Sequence, residues 1–183
     1  MDVPQLRLMV NKEATPSVCH KAIPVPLHWI KKVKADIDCD VQLGVIEPVP
    51  IGDPVTWCHR MVVTAKKNGD PGRTVDLQSL NRHATRETHY TSSPFHQALR
   101  VPHGRKKTVI DAWNGYHSVP LYEEDRHLTT FITPWGRYCY LVAPLGYIAS
   151  DDGYTQRYDE ILKTSQISNK DYAKCIDDAL LMA

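Results

Sequence analysis

Two adjacent carboxylates, Asp177 and Asp178, interrupt an apolar stretch near the C-terminal end of this chain. They sit between Tyr172-Ala173-Lys174-Cys175-Ile176 and Ala179-Leu180-Leu181-Met182, a pattern that predicts a strand, a turn at 176–178 and a return strand of about five residues. Neighbouring carboxylates repel, and an apolar setting disfavours their charged form. A divalent cation relieves both penalties. An Asp-Asp pair in a solvated turn is common, so the dipeptide alone does not decide between a metal site and a surface turn. A third acid, Asp111, closes the run Lys107-Thr108-Val109-Ile110. Taken alone it reads equally as a strand-end cap. If its strand lies beside the Asp177-Asp178 hairpin, three carboxylates converge. Hard oxygen donors at that density suit Mg²⁺, whose shell is completed by water and phosphate.

The 183 residues carry a net charge of +1, which hides an uneven distribution. Residues 60–110 hold ten Lys or Arg against three acids, whereas residues 111–183 hold six against eleven. A basic middle beside an acidic end fits a polyanion-binding face next to a carboxylate site, and equally fits solvated surface charge. A hydrophobic share of 42% supplies a core for one domain or a small two-lobed unit. The longest uncharged run, Tyr138 to Ser150, is too short for a membrane span. No secretion signal follows Met1-Asp2-Val3-Pro4, so the expected location is intracellular and cytoplasmic, with no membrane partner. The five cysteines contain no Cys-x-x-Cys pair and read as free thiols.

Residues 1–27, with Pro16, Pro24 and Pro26, read as an extended arm. Ile30, Val33, Ile37 and Val41 predict a helix over 28–42 stopped by Gly44. Strands are predicted at Val45–Pro50, Cys58–Ala65 and Arg73–Leu77, the last two joined by the hairpin loop Lys66-Lys67-Asn68-Gly69-Asp70-Pro71-Gly72. Ser93-Pro94 starts a short helix to Leu99. Further strands are expected at Lys107–Asp111 and Tyr116–Leu121, with a hairpin of Leu128–Thr133 and Gly136–Val142. Residues 149–164 read as a helix with Tyr154, Tyr158, Ile161 and Leu162 inward. Strands and helices mix without βαβ regularity, which gives an α+β class.

Taken in order, several segments resemble the motifs of reverse transcriptases. Thr74-Val75-Asp76-Leu77-Gln78-Ser79-Leu80-Asn81 is similar to the fingers signature. Thr108-Val109-Ile110-Asp111-Ala112-Trp113-Asn114-Gly115-Tyr116 resembles the first palm motif. Phe131 to Tyr138 is similar to the phrase that follows in long-terminal-repeat retroelements. Pro144-Leu145-Gly146-Tyr147 through Gln156-Arg157 resembles the second palm motif, and Cys175-Ile176-Asp177-Asp178 the third. The match is collinear over roughly residues 20–183.

The resemblance implies the fingers and palm of a right-hand polymerase, with an antiparallel palm sheet and packed helices. Residues 1–27 would be the arm, 28–93 and 122–146 the fingers, and 94–121 and 147–183 the palm. It implies transfer of a nucleotide from dNTP to a primer 3′-hydroxyl on an RNA or DNA template. Two Mg²⁺ ions, with Mn²⁺ as a substitute, would be held by Asp111, Asp177 and Asp178 with Ala112. Lys66, Arg73, Ala112, Trp113, Asn114, Gly115, Tyr116, Leu145 and Gly146 would bind the nucleotide, Tyr116 as the ring that crowds a ribose 2′-hydroxyl. Asp76, Gln78, Asn81 and Cys175 would face template or primer.

Three positions depart from the pattern. Gly72 stands where the family carries an Arg, with Arg73 one place later as its substitute. Leu145 stands where the family has Gln or Phe, and Asp151 replaces a Gly or Pro. The chain also stops at Ala183, so thumb and RNase H segments of a polyprotein are expected to come from elsewhere. The alternatives are a decayed fragment that binds nucleic acid without catalysis, and an RNA-directed RNA polymerase, which the ring of Tyr116 disfavours.

Overall fold

Helix α1 (Ile30–Gln42) follows a single 3₁₀ turn at Leu27–Trp29 and buries Val33 and Ile37, with Ile30 and Val41 partly covered. The computed structural model describes residues 5–86, 88–89, 93–112, 114–165, 167–168, 170–175 and 178–182. The end of α1 follows from Gly44, whose φ of +67° is left-handed. The Val45 amide donates to the Asp40 carbonyl and the Gly44 amide to the Val41 carbonyl, the paired bonds of a Schellman cap.

The helix leads into the first of two sheets. The strands are β1 (Ile46–Pro48), β2 (His59–Ala65), β3 (Pro71–Asp76), β5 (Phe131–Thr133) and β6 (Gly136–Tyr140), in the order β1-β6-β5-β2-β3. All neighbours are antiparallel except β2 and β5. The core packs Val33 and Ile37 against Ile46, Met61, Val75, Phe131, Tyr138 and Tyr140. The β2–β3 loop is tight: Lys66 N–H donates to Asp70 O, and Gly69 turns the chain with φ +82°. A short helix α2 (Gln78–Asn81) follows β3, with the Asp76 carboxylate accepting from the Gln78 amide at 3.1 Å.

The second sheet contains β4 (Lys107–Asp111), β7 (Tyr172–Cys175) and β8 (Asp178–Met182), all antiparallel in the order β4-β8-β7. Helix α3 (Pro94–Leu99) precedes β4, and the Ser93 hydroxyl caps it by accepting from the His96 amide. Helix α4 (Ser150–Thr164) buries Tyr154 and Leu162. Tyr158 is half-buried, but Ile161 is 54% exposed, so the expected inward stripe is narrower at its C-terminal end.

One expected strand begins instead as a tighter turn, and another is shortened by one. Gly115–Ser118 is a 3₁₀ turn, where alternation predicted strand from Tyr116. Asn114 adopts φ 51°, ψ 40°, which turns the chain out of β4, and the Ser118 hydroxyl donates to the Gly115 carbonyl at 2.6 Å. Glu123–Thr129 is likewise 3₁₀, so the hairpin strand starts at Phe131 rather than Leu128.

The arm adopts no long element in residues 5–26. It bridges Leu6 to Leu121, Val10 to Ala84 and Val18 to Cys58. The Asp125 carboxylate accepts from the Leu8 amide and from Arg7, whose guanidinium lies 3.9 Å from the centre of the Tyr122 ring. All five cysteines are free thiols. No helix among the described residues is long and apolar enough to cross a membrane.

His59 is buried at the start of β2. Its Nε2 lies 3.0 Å from Leu128 O and its Nδ1 3.3 Å from the Ser79 hydroxyl, so the neutral ring donates to the carbonyl and accepts from Ser79. Burial lowers its pKa from 6.5, against a smaller opposing pull from the Leu128 carbonyl. The unfolded chain therefore binds the extra proton first, and stability falls as pH drops below 6.5. The unfolding free energy from urea titrations should decrease between pH 7.5 and 5.5 with a slope of up to about 1.4 kcal/mol per pH unit from this ring. His59→Gln should flatten that dependence. An unchanged slope in the variant would remove His59 as its source.

Candidate active site

Strand β4 ends on Asp111 and strand β8 begins on Asp178, and the sheet register sets these two residues directly opposite each other. Side chains at opposed antiparallel positions share one face, with Cβ atoms about 5 Å apart. Both residues are exposed, and among the described residues neither has a basic partner within ion-pair distance. Like charges in this arrangement disfavour the strand pairing. The donor set is all oxygen, which fits a hard divalent cation. Asp178 thus lies in the strand and not in the expected turn. Asp177 and Trp113 fall outside the described residues, and among those described no three His, Cys, Asp or Glu side chains gather as a metal site.

Cys175 is the other cross-strand partner of Asp178. With Val109, Ala173 and Leu180 it lines an apolar groove of about 300 Å³ closed on one side by Pro94, Gln97, Ala98 and Val101. The pleat separates this face from the opposite one, where Lys174 is buried. The Lys174 ammonium bonds Asp159 of α4 at 2.6 Å, donates to Thr155 O at 3.1 Å and lies over the Tyr158 ring at 4.9 Å. His89 reaches the second oxygen of Asp159 at 2.9 Å. Burial pushes the Asp159 carboxyl up, but hydrogen bonds from Lys174 and His89, and their charges, more than offset it and lower its pKa.

Beyond β4, the chain closes on Tyr154 of α4. A Cβ at Gly115 would lie 2.6 Å from the Tyr154 ring, so no side chain fits there. Tyr116 packs against the same ring at 5.2 Å between centroids, in a small cluster with Ala112, Val119 and Ala143. The neighbouring His117 is held below its ordinary pKa by burial, with Asp40 raising and Arg73 lowering it, so this turn lies within electrostatic reach of β3.

The remaining predicted residues fall into two groups. Asn81 clasps the turn after Ala143: its amide nitrogen donates to Gly146 O at 2.8 Å and its oxygen accepts from the Ile148 amide at 3.1 Å. Gly146 has φ +91°, and its Cβ direction faces Val75 O at 3.8 Å, next to Asp76. Leu145 is 50% exposed and Gln78 is exposed. On the hairpin, the Lys66 side chain lies across Gly72, where a Cβ would meet Lys66 Cγ at 3.1 Å. Arg73 is bonded to Asp40 of α1, and both side chains are largely covered.

No family model matches the chain. It is 26% identical over 158 residues to the Pro-Pol polyprotein of feline foamy virus, an alignment covering 86% of this chain and 14% of that polyprotein. The chain is thus similar in sequence to a segment of a retroviral Pro-Pol polyprotein. Its fold matches the prototype foamy virus protease–reverse transcriptase with a TM-score of 0.79 at 20% identity, over 96% of this chain and 22% of that one. It also matches the foamy viral protease–reverse transcriptase in complex with an RNA/DNA hybrid, with a TM-score of 0.81 at 14% identity, over 100% of this chain and 23% of that one. The resemblance to reverse transcriptases read from the motifs holds, and the mixed fold matches part of a polymerase. The chain spans about one seventh of the polyprotein it matches.

One structural side chain escaped the sequence reading, and another makes a contact that the reading did not foresee. Lys174 is a cation inside an otherwise apolar strand, a signal that a buried acid must face it. Asn81 was expected at the template, and no local signal marks it as a clasp for a turn 65 residues away. Lys174→Met leaves Asp159 with His89 alone and should lower stability by about 2 kcal/mol in urea unfolding. The Lys174→Met/Asp159→Leu double variant should recover part of that loss. A single variant as stable as the parent would show that the pair contributes nothing.

Proposed function

We propose that the chain is the fingers and palm of an RNA-directed DNA polymerase. The opposition of Asp111 and Asp178 across β4 and β8 carries this reading. The topology supports the division: segments 28–93 and 122–146, the fingers, contribute every strand of the five-stranded sheet. Segments 94–121 and 147–183, the palm, contribute every strand of the other. A foamy viral relative in complex with an RNA/DNA hybrid supports a primed template as the nucleic-acid partner.

The reaction is attack of a primer 3′-hydroxyl on the α-phosphorus of a dNTP, forming one P–O bond and breaking the bond to pyrophosphate. Asp111 and Asp178 would hold Mg²⁺, with Mn²⁺ as substitute and Asp177 as the further ligand implied by the sequence. A pair of such ions neutralises charge on the attacking and leaving oxygens. Ala112, Asn114 and Gly115 shape the approach to that edge. Tyr116, fixed against Tyr154, presents the ring that discriminates at the ribose. Lys66, on an exposed hairpin, meets the triphosphate. Asn81 and Gly146 fix the turn that carries Leu145 beside the end of β3.

Two observations favour a second reading, nucleic-acid binding without synthesis. Arg73 is committed to Asp40 instead of a phosphate. Leu145 offers an exposed apolar side chain where a hydrogen bond is expected. Primer extension with dNTPs and Mg²⁺ on an RNA template separates the two. Synthesis by the chain, reduced about 10²-fold or more in Asp111→Asn or Asp178→Asn, is the expected result. Synthesis only after Gly72→Arg, Leu145→Gln and Asp151→Gly would select the second reading. The open space around Leu145 and the flexible Lys66 chain beside Gly72 accommodate those changes. Synthesis unaffected by both Asp substitutions would overturn the carboxylate site.

A further inference from the structure

At the end of β4 opposite Asp111 lies a concave basic site that the proposed reaction does not use. It is lined by Arg100, Pro102, Arg105, Lys170, Tyr172 and Met182 and encloses about 470 Å³. That volume is in the range of ligand-binding clefts. Lys107 pairs across the sheet with Met182 and so stands at its rim, with Lys106 adjacent. Residues 100–107 contain four cations and no acid. Among the described residues the cluster's ion pair is Arg105 with Asp171, at 2.8 Å. Arg100 and Arg105 are held by different elements: Arg100 caps α3, while Arg105 follows a turn in which Gly104 has φ +81°. The lining also includes Tyr172 of β7, which pairs with Leu181, and the buried Met182.

We propose that this site binds a single-stranded segment of nucleic acid, with phosphates on the Arg100, Arg105 and Lys170 rim and a base against Tyr172. A cationic rim alone would serve any polyanion. Its combination with an aromatic and apolar lining is the pattern of single-strand platforms, where stacking adds to phosphate contacts. The site lies one strand length, about 13 Å, from the carboxylate pair. It would therefore hold a strand outside the reacting centre and anchor the nucleic acid to the three-stranded sheet. The proposal rests on the nucleic-acid reading above and adds a second point of contact to it.

The test uses the full chain and a fluorescein-labelled twelve-nucleotide single strand carrying 4-thiouridine, read by anisotropy across a salt series and by photocrosslinking. The expected result is a crosslink on Tyr172 or its neighbours. Arg100→Ala/Lys170→Ala should weaken binding about tenfold or more at 0.1 M salt and make the log–log salt slope shallower by about 1.4, two single-strand phosphate contacts. Arg100→Lys/Lys170→Arg should retain binding. The control Lys21→Ala/Lys31→Ala removes two exposed charges elsewhere and should leave the Tyr172 crosslink in place. Equal losses in the site and control pairs, or a crosslink only at other segments, would overturn the site while leaving nucleic-acid binding intact. Loss of phosphatidylserine-vesicle binding in the site pair, with oligonucleotide binding unchanged, would also overturn it. Absence of primer extension alongside a Tyr172 crosslink would instead remove the polymerase reading and keep the site.

Discussion

A buried ammonium sets the geometry on which the candidate site depends. Lys174 lies on the α4 side of its sheet, bonded to Asp159 and to the Thr155 carbonyl. A charge in that setting is tolerated only with directional partners. Strand side chains alternate with a period of two, so a one-residue slip of β7 would turn Lys174 toward solvent and bring Cys175 inward. The ion pair therefore discriminates against that slip, and through the β7–β8 pairing it supports the alignment that sets Asp178 opposite Asp111. The two carboxylates repel across the sheet, and a cost of that kind persists where the surrounding packing holds the strands in place.

The second constraint is close approach without side chains. Gly115 lets the chain pass directly under the Tyr154 ring, and Tyr116 then lies against the same ring. Gly146 takes a left-handed turn whose backbone is held by both ends of the Asn81 amide. Together these contacts fix the segment after β4 to α4, and the turn before α4 to α2. The exposed edge formed by Asp111, Asp178 and the neighbouring turns is thus held from beneath by contacts that do not themselves face it.

Much of this was legible in the chain. Periodicity located α1, α4 and the strands of both sheets, because apolar spacing reports which face is covered. The β-branched run ending in Asp111 and the apolar flanks of Asp178 marked β4 and β8, and their opposition is what three convergent carboxylates required. Tyr116 was misread as strand because Ser118 and Pro120 alternate with the apolar Val119 and Leu121. The left-handed Asn114 overrides that alternation. The 3₁₀ turn at Glu123–Thr129 escaped for a similar reason, since Asp125 is held by the arm rather than by local propensity. Arg73 pairs with Asp40, which lies far off in sequence, and nothing local announces that contact. Long-range ion pairs are where sequence reading loses its grip.

Strand β4 has one more property, which follows from its place in the order β4-β8-β7. Among the described residues its outer side has no partner strand, all five of its residues are exposed, and Val109 is 70% so. Such an edge presents a row of unpaired amides and carbonyls to any extended segment that meets it. Lys107 and Asp111 guard its two ends, but Val109 and Ile110 between them are the residues a docking strand favours. The openness that exposes Asp111 also leaves the strand open to edge-to-edge association, so at high protein concentration self-adhesion draws on the same exposed backbone.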